Sequence, residues 1–231
     1  MKQLMITAAA ALLCLQTMAQ DDASYSMYVY LSDGSVVTYN VAEVDSVVFA
    51  EVADETNGYE YVDLGLSVKW AVCNVGSGAS SDYGSYYAWG ETTTKSSYST
   101  ANGATYGVEM DDIAGNADYD AAAANWGGAW RMPTYDEYAE LIDSCTWEWT
   151  TQDDIYGYLV TGPSGNSIFL PAAGYRRGGW LYSTGGTGCY WCSTPAESGN
   201  GTAGTLYFIS SSYSMENYYR YRGHTIRPVL D

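Results

Sequence analysis

Ile168-Phe169-Leu170-Pro171-Ala172-Ala173-Gly174-Tyr175-Arg176 opens the stretch on which the reading of this chain turns; Tyr190-Trp191-Cys192-Ser193-Thr194-Pro195 continues it and Gly223-His224-Thr225-Ile226-Arg227-Pro228-Val229 closes it. Apolar, Gly and Pro framework residues alternate here with Tyr, Ser, Asn, Arg, Trp and Cys that follow no packing period. A rigid scaffold carrying an exposed, freely varied face would read this way. The run Asn217-Tyr218-Tyr219-Arg220-Tyr221-Arg222 is its sharpest part. Successive strand residues face opposite ways, so a strand here either buries Arg or exposes a row of Tyr, and exposed tyrosines in a row make a contact patch.

Outward from this stretch, residues 59–231 form short apolar runs separated by Gly, Asn and Ser clusters, the pattern of many short strands within one domain. One segment is helical. Thr134 followed by Glu137 three residues on is a capping box, and Tyr138, Leu141 and Ile142 fall at helical spacing, so 134–144 is read as a helix. Residues 92–122 are rich in Thr, Ser, Ala, Gly and Asp and read as an insertion or long loop. The class expected is α+β. Trp126, Trp130 and Trp191 sit in Gly-rich framework and are assigned to the core. Arg131, Arg176 and Arg227 adjoin apolar or Pro residues and are assigned as paired structural guanidiniums.

Towards the N-terminus, residues 20–52 read as a small β unit. Met27–Leu31 and Val36–Tyr39 flank the turn signal Ser32-Asp33-Gly34, and Val47-Val48-Phe49 would be a third strand. Residues 53–58 are polar, end in Asn-Gly and read as a linker. The first nineteen residues have the form of a signal peptide: Lys2, an apolar Met5–Leu15 too short to span a bilayer, and Ala19 before the cut. Lipidation at Cys14 would want a small residue where Leu13 stands. The protein is expected to be exported, to the cell surface or beyond, with no transmembrane segment.

The chain carries 27 acidic residues against nine basic ones, a formal charge of −18. Nucleic acid is an unsuitable partner, because phosphate binding needs clustered Lys and Arg. The basic residues are also unevenly placed. Arg176, Arg177, Arg220, Arg222 and Arg227 all lie in the last quarter, against Glu197, Glu216 and Asp231. Tyr, Trp, Arg, Ser, Gly and Asn together are the residues of contact surfaces. Among the cysteines beyond the leader, Cys73 and Cys145 are candidates for a structural bridge or for two reduced buried thiols. Cys189-Tyr190-Trp191-Cys192 has redox spacing but lacks the βαβ context that such a site needs. With His224 the sole histidine, zinc is not expected, and neither is any other cofactor.

Several motifs in fixed order carry a resemblance. They are Tyr61-Val62-Asp63-Leu64-Gly65-Leu66-Ser67-Val68-Lys69-Trp70-Ala71 with Cys73-Asn74-Val75-Gly76, then Trp89-Gly90-Glu91, then Asn125-Trp126-Gly127-Gly128 with Trp130-Arg131-Met132-Pro133-Thr134, then Cys145-Thr146-Trp147-Glu148-Trp149-Thr150. With the C-terminal motifs, residues 59–231 resemble the Fibrobacter succinogenes major paralogous domain of exported Bacteroidetes proteins. The resemblance implies a C-type-lectin-like fold, related to that of formylglycine-generating enzymes. Some such domains are similar to variable proteins of diversity-generating retroelements, in which a C-terminal segment is rewritten at template adenines. The spectrum of that editing fits Arg177, Tyr182, Thr187, Cys189, Cys192, Tyr207, Ile209, Tyr213, Asn217, Tyr218, Tyr219, Tyr221, Arg222 and His224; it does not fit Trp180, Met215 or Glu216.

Three functions compete. The first is an exported ligand-binding or adhesion protein for an extracellular protein or glycan, with a candidate variable region 176–224. Its binding face would comprise Arg177, Trp180, Tyr182, Tyr207, Ile209, Tyr213, Asn217, Tyr218, Tyr219, Tyr221, Arg222 and His224. The second is an exported enzyme, formylglycine-generating or other, for which no nucleophile–base pair stands at a telling spacing. The third is a carbohydrate-binding lectin. Calcium-lectin tripeptides are absent, and the acidic run Asp111, Asp112, Asn116, Asp118 and Asp120 lacks EF-hand spacing and reads as a solvated loop. Aromatic stacking could bind sugar without calcium.

Overall fold

The computed structural model describes residues 26–30, 35–43, 56–197 and 199–231. The leader, the turn at 32–34 and the expected strand at 47–49 lie outside the described residues. The chain divides into two units, 1–52 and 53–231. The first contains an antiparallel pair, β1 (Ser26–Tyr30) and β2 (Val36–Asn40), followed by a short 3-10 turn at Val41–Glu43.

The second unit is built of short antiparallel strands in small sheets with few helices, the α+β class expected. β3 (Tyr61–Val62), β4 (Lys69–Ala71) and β13 (Val229–Leu230) form one sheet in the order β13-β4-β3, bringing the two ends of the domain together. β5 (Thr146–Gln152), β6 (Ile155–Thr161) and β7 (Ser167–Pro171) form a meander. β8 (Tyr175–Arg177) and β9 (Trp180–Tyr182) form a hairpin. β10 (Thr187–Pro195), β11 (Thr202–Ile209) and β12 (Ser212–Tyr219) form the sheet nearest the candidate site.

Helix α2 (Tyr135–Ser144) falls where the capping box puts it: Thr134 Oγ1 accepts from Glu137 N–H, and Glu137 returns the bond to Thr134 N–H. Its buried residues, Tyr138 and Leu141, pack with Trp70, Val160, Leu170, Tyr190, Leu206 and Phe208 in one core cluster. A second cluster is organised by Trp89, Trp126, Trp130 and Trp191 with Ile226, as the core assignment of these tryptophans requires. The expected loop at 92–122 ends in a helix that sequence patterning misses, α1 (Ala121–Trp126). Its signal was Asp120. That carboxylate is fully buried and accepts from Ala122, Ala123, Gly115 and Met132 N–H, so it caps α1 and ties the loop to the Met132 strand segment.

Three details revise the sequence reading. Thr56–Gly58 belong to the folded domain rather than to a linker, since Trp130 Nε1 donates to Thr56 O at 2.6 Å and Asn57 Nδ2 to Trp126 O at 2.5 Å. Cys73 and Cys145 are free thiols rather than a bridge, one packed against the tryptophan cluster and the other against the first core. Among the arginines, Arg131 pairs with Glu137 and Asp231, and Arg227 is buried and hydrogen-bonded, but Arg176 has no acidic partner among the described residues and lies over the Tyr86 ring at 5.2 Å. Among the described residues no helix is long and apolar enough to cross a membrane.

Candidate functional site: an aromatic and arginine face

Cross-strand register decides which candidates can meet. Residues opposite one another in an antiparallel pair share a face, and the next pair along lies on the other. In the β8–β9 hairpin, Tyr175 opposes Tyr182 and Arg177 opposes Trp180, so these four share a face. Tyr175 and Tyr182 stack at 5.6 Å, while Trp180 projects furthest from the fold at 74% exposure. Arg176 and Leu181 form the alternate pair, with Arg176 turned to Tyr86.

The turn after β12 adds the second half of the face. The β12 strand ends at Tyr219, and the next residue, Arg220, is buried at 1% exposure. Its guanidinium lies 4.2 Å over Trp89 and donates to the carbonyls of Thr202, Val108 and Thr105. The Tyr-Arg run therefore does both things its pattern allowed: it buries one Arg and turns Tyr219 and Tyr221 outward. Those two rings stack at 5.4 Å, with Tyr106 edge-on to Tyr221 at 5.2 Å.

Arg222 joins the two halves. Its guanidinium carbon is 5.1 Å from the Tyr175 ring, 5.2 Å from Tyr218 and 5.9 Å from Tyr219, all within cation–π range. Tyr218 in turn stacks on Tyr207 at 6.0 Å. A row thus runs Tyr182, Tyr175, Arg222, Tyr218, Tyr207. A cleft of about 470 Å³ opens beside it, lined by Tyr98, Ser99, Thr100, Arg177, Gly178, Trp180, Tyr182 and Tyr221.

Of the twelve candidates, Arg177, Trp180, Tyr182, Tyr219, Tyr221 and Arg222 come together at the surface, with Tyr218 and Tyr207 half-buried beside them. Four do not belong. Tyr213 opposes Phe208 and Asn217 opposes Gly204, which puts both on the opposite face of the sheet; Tyr213 stacks on Trp147 at 4.5 Å and packs against the first core. Ile209 shares the Tyr207 face but lies six residues along β11 from the Ala203–Tyr218 pair, roughly 20 Å away. His224 is fully buried. Its backbone pairs with Tyr87, and its ring stacks on Trp191 at 4.0 Å with Thr205 Oγ1 3.4 Å from Nδ1. Burial, with Arg222 adding to it, holds the imidazole well below its usual pKa, so it is neutral and out of contact with solvent.

Cys189 and Cys192 are buried too, and desolvation pushes both thiols up to about 12. Cys189 opposes Tyr207, whereas Cys192 Sγ lies against Gly204 on the other face, so the two sulfurs point apart. Neither has the thiolate character of a redox cysteine. Sequence reasoning missed Tyr98, buried beneath the face, and Tyr106 and Tyr175 within it. The first two lay in what read as an insertion, and Tyr175 was taken for framework. Among the described residues no group of His, Cys, Asp and Glu is arranged to hold a metal ion. No protein-family model, curated protein or solved structure matches this chain.

Proposed function

We propose that this is an exported ligand-binding or adhesion protein whose C-type-lectin-like scaffold presents the Tyr, Trp and Arg face of residues 175–222 to an extracellular partner. The observation that carries the reading is the clustering of solvent-facing aromatic rings around unpaired guanidiniums. Trp180 is 74% exposed, Tyr219 47% and Tyr182 42%, and none of Arg176, Arg177 and Arg222 pairs with an acid among the described residues. Rigid aromatic rings supply contact area at low entropic cost, and a contiguous exposed apolar patch is uncommon without a partner. Binding rather than turnover is also favoured by the burial of the only histidine and of the Cys189 and Cys192 thiols.

The double variant Trp180→Ala/Tyr221→Ala tests the face. Truncating a contact residue commonly costs about 2 kcal/mol or more of binding, whereas an exposed position contributes within about 0.5 kcal/mol to folding. Screened as a labelled protein against arrays of glycans and extracellular proteins, the wild type should give binders that the double variant loses, with unfolding unchanged. Retention of every binder at wild-type affinity would place the binding surface elsewhere.

Diversification of the segment is proposed on the same face, for positions whose side chains the core does not fix: Arg177, Tyr182, Tyr219, Tyr221 and Arg222. Cys189, Cys192 and His224 are too buried to accept free exchange. A reverse-transcriptase gene beside this one, with a near-copy of the 168–229 coding segment differing only at adenines, is the expected finding. Absence of both removes the idea and leaves a fixed binding face.

A further inference from the structure

We infer that the cleft between the β8–β9 hairpin and Tyr221 takes a carboxylated saccharide, its sugar ring against Trp180 or Tyr221 and its carboxylate on Arg177, with Arg222 flanking. The inference rests on the binding-face reading and names the chemistry of its ligand.

Charge argues first. The chain is strongly acidic, yet the hairpin and the turn after β12 gather Arg176, Arg177 and Arg222 with no ion pair to any of them among the described residues. Of the acids near this face, Glu91 holds Lys95, and Glu216, on the Tyr218 face of β12, accepts from Ser214 Oγ and pairs with no arginine among the described residues. Arg222 lies within cation–π range of Tyr175, Tyr218 and Tyr219, and its Nε is shielded from solvent with no acceptor among the described residues. Arg177, directly opposite Trp180 in the hairpin, is exposed and makes no side-chain hydrogen bond among the described residues. Guanidiniums held this way, with their donors unspent, match the planar two-oxygen geometry of a carboxylate.

Shape argues for a saccharide over an acidic peptide. Peptides that bind beside strands commonly add to a free edge through main-chain bonds. Here the backbone is already paired on the Tyr98 and Gly223 sides, Tyr98 N–H to Gly178 O at 2.9 Å, Gly178 N–H to Tyr98 O at 2.7 Å and Arg176 in both directions to Gly223, and the outer edge of β9 offers only three residues. The side chains offered to a ligand are two aromatic faces, a guanidinium and the Thr100 hydroxyl. The C–H face of a pyranose packs on such rings through their negative π surface. The volume, about 470 Å³, is that of a small-ligand site, enough for one or a few sugar units.

The test uses the whole exported chain and titration calorimetry with trigalacturonic acid, its methyl ester, neutral galactotriose, sialyllactose, lactose and triglutamate. Trigalacturonate or sialyllactose should bind at least about tenfold more tightly than its neutral counterpart, and added salt should weaken it. Arg177→Gln should remove that preference. Because Arg177 is exposed, its loss leaves folding intact, and Arg222→Gln serves as the second variant. Equal binding of neutral and carboxylated sugars, binding of triglutamate alone, or an acid preference that survives both substitutions would overturn the inference. A neutral glycan or a protein that binds and is lost in Trp180→Ala/Tyr221→Ala would also overturn it, while leaving the binding face standing.

Discussion

Replacing Trp191 by Ala should strongly destabilise the domain. The indole is fully buried in the tryptophan cluster, stacks on His224 at 4.0 Å and donates from Nε1 to Tyr87 O at 2.8 Å. Removing a buried aromatic costs roughly 3–5 kcal/mol, and Tyr87 O keeps the His224 N–H as its remaining donor. A domain of this size is commonly stable by only about 5–15 kcal/mol, so the variant should lose a large part of its margin in a denaturant titration. Trp180→Ala is the matched control: same side chain, same substitution, opposite exposure. Equal losses of stability in the two would mean that the division between core and face has been drawn wrongly.

The substitution Arg227→Met should be nearly as damaging, although it keeps the volume and removes a costly buried charge. Arg227 is fully buried and makes no ion pair among the described residues. Its Nε donates to Asn74 Oδ1, its Nη1 to the carbonyls of Ala71 and Val72, and its Nη2 to Phe169 O. Methionine would leave those acceptors buried and unsatisfied, at about 1–3 kcal/mol each before relaxation, and breaking such a buried set commonly costs about 3–5 kcal/mol in total. Arg177→Met, at an exposed position, should change folding by no more than about 0.5 kcal/mol. Chemical denaturation of the pair reads the difference directly. A neutral outcome for Arg227→Met would show that water replaces the guanidinium and that the ties between Asn74, Ala71, Val72 and Phe169 are dispensable.

These contrasts show what was legible in the sequence. Helix α2 was readable because a capping box is a local device: Thr134 and Glu137 satisfy each other's backbone whatever the rest of the chain does. Trp126, Trp130 and Trp191 lie in the core as their framework motifs suggested, but flanking residues alone do not decide this, since Trp180 follows Gly178-Gly179 and is 74% exposed. The tyrosines were not separable in this way. Tyr207 and Tyr213 have similar local surroundings, yet one joins the face and the other stacks on Trp147, because strand register alone decides the side. Arg220 and Arg222 are two residues apart, and only the chain's turn after Tyr219 separates a buried guanidinium from one set among surface rings. His224 carried the chemistry of a site residue, but its backbone pairs with Tyr87 next to a segment already paired with β10, and that long-range pairing buries it. Helix α1 was missed because it is only six residues long and its cap, Asp120 accepting from Ala122 and Ala123 N–H, stands in an acidic run that read as a solvated loop.

The β8–β9 hairpin meets the rest of the domain through a seam of glycines. Gly174 bridges to Gly188, Gly178 to Tyr98, and Gly223 to Arg176. At Gly188 a methyl group would collide with the Phe208 ring at 2.0 Å, and at Gly223 with Tyr98 at 2.8 Å. The hairpin is therefore positioned by main-chain bonds, and at Gly174, Gly188 and Gly223 these fall at points where no side chain can stand. Geometry and chemistry are thereby inherited separately: the seam dictates where the outer residues are held, and the outer residues have no vote in it. A lineage carrying this seam could exchange Arg177, Trp180 or Tyr182 for other side chains and acquire a different specificity in one step, without first having to rebuild the platform that displays it.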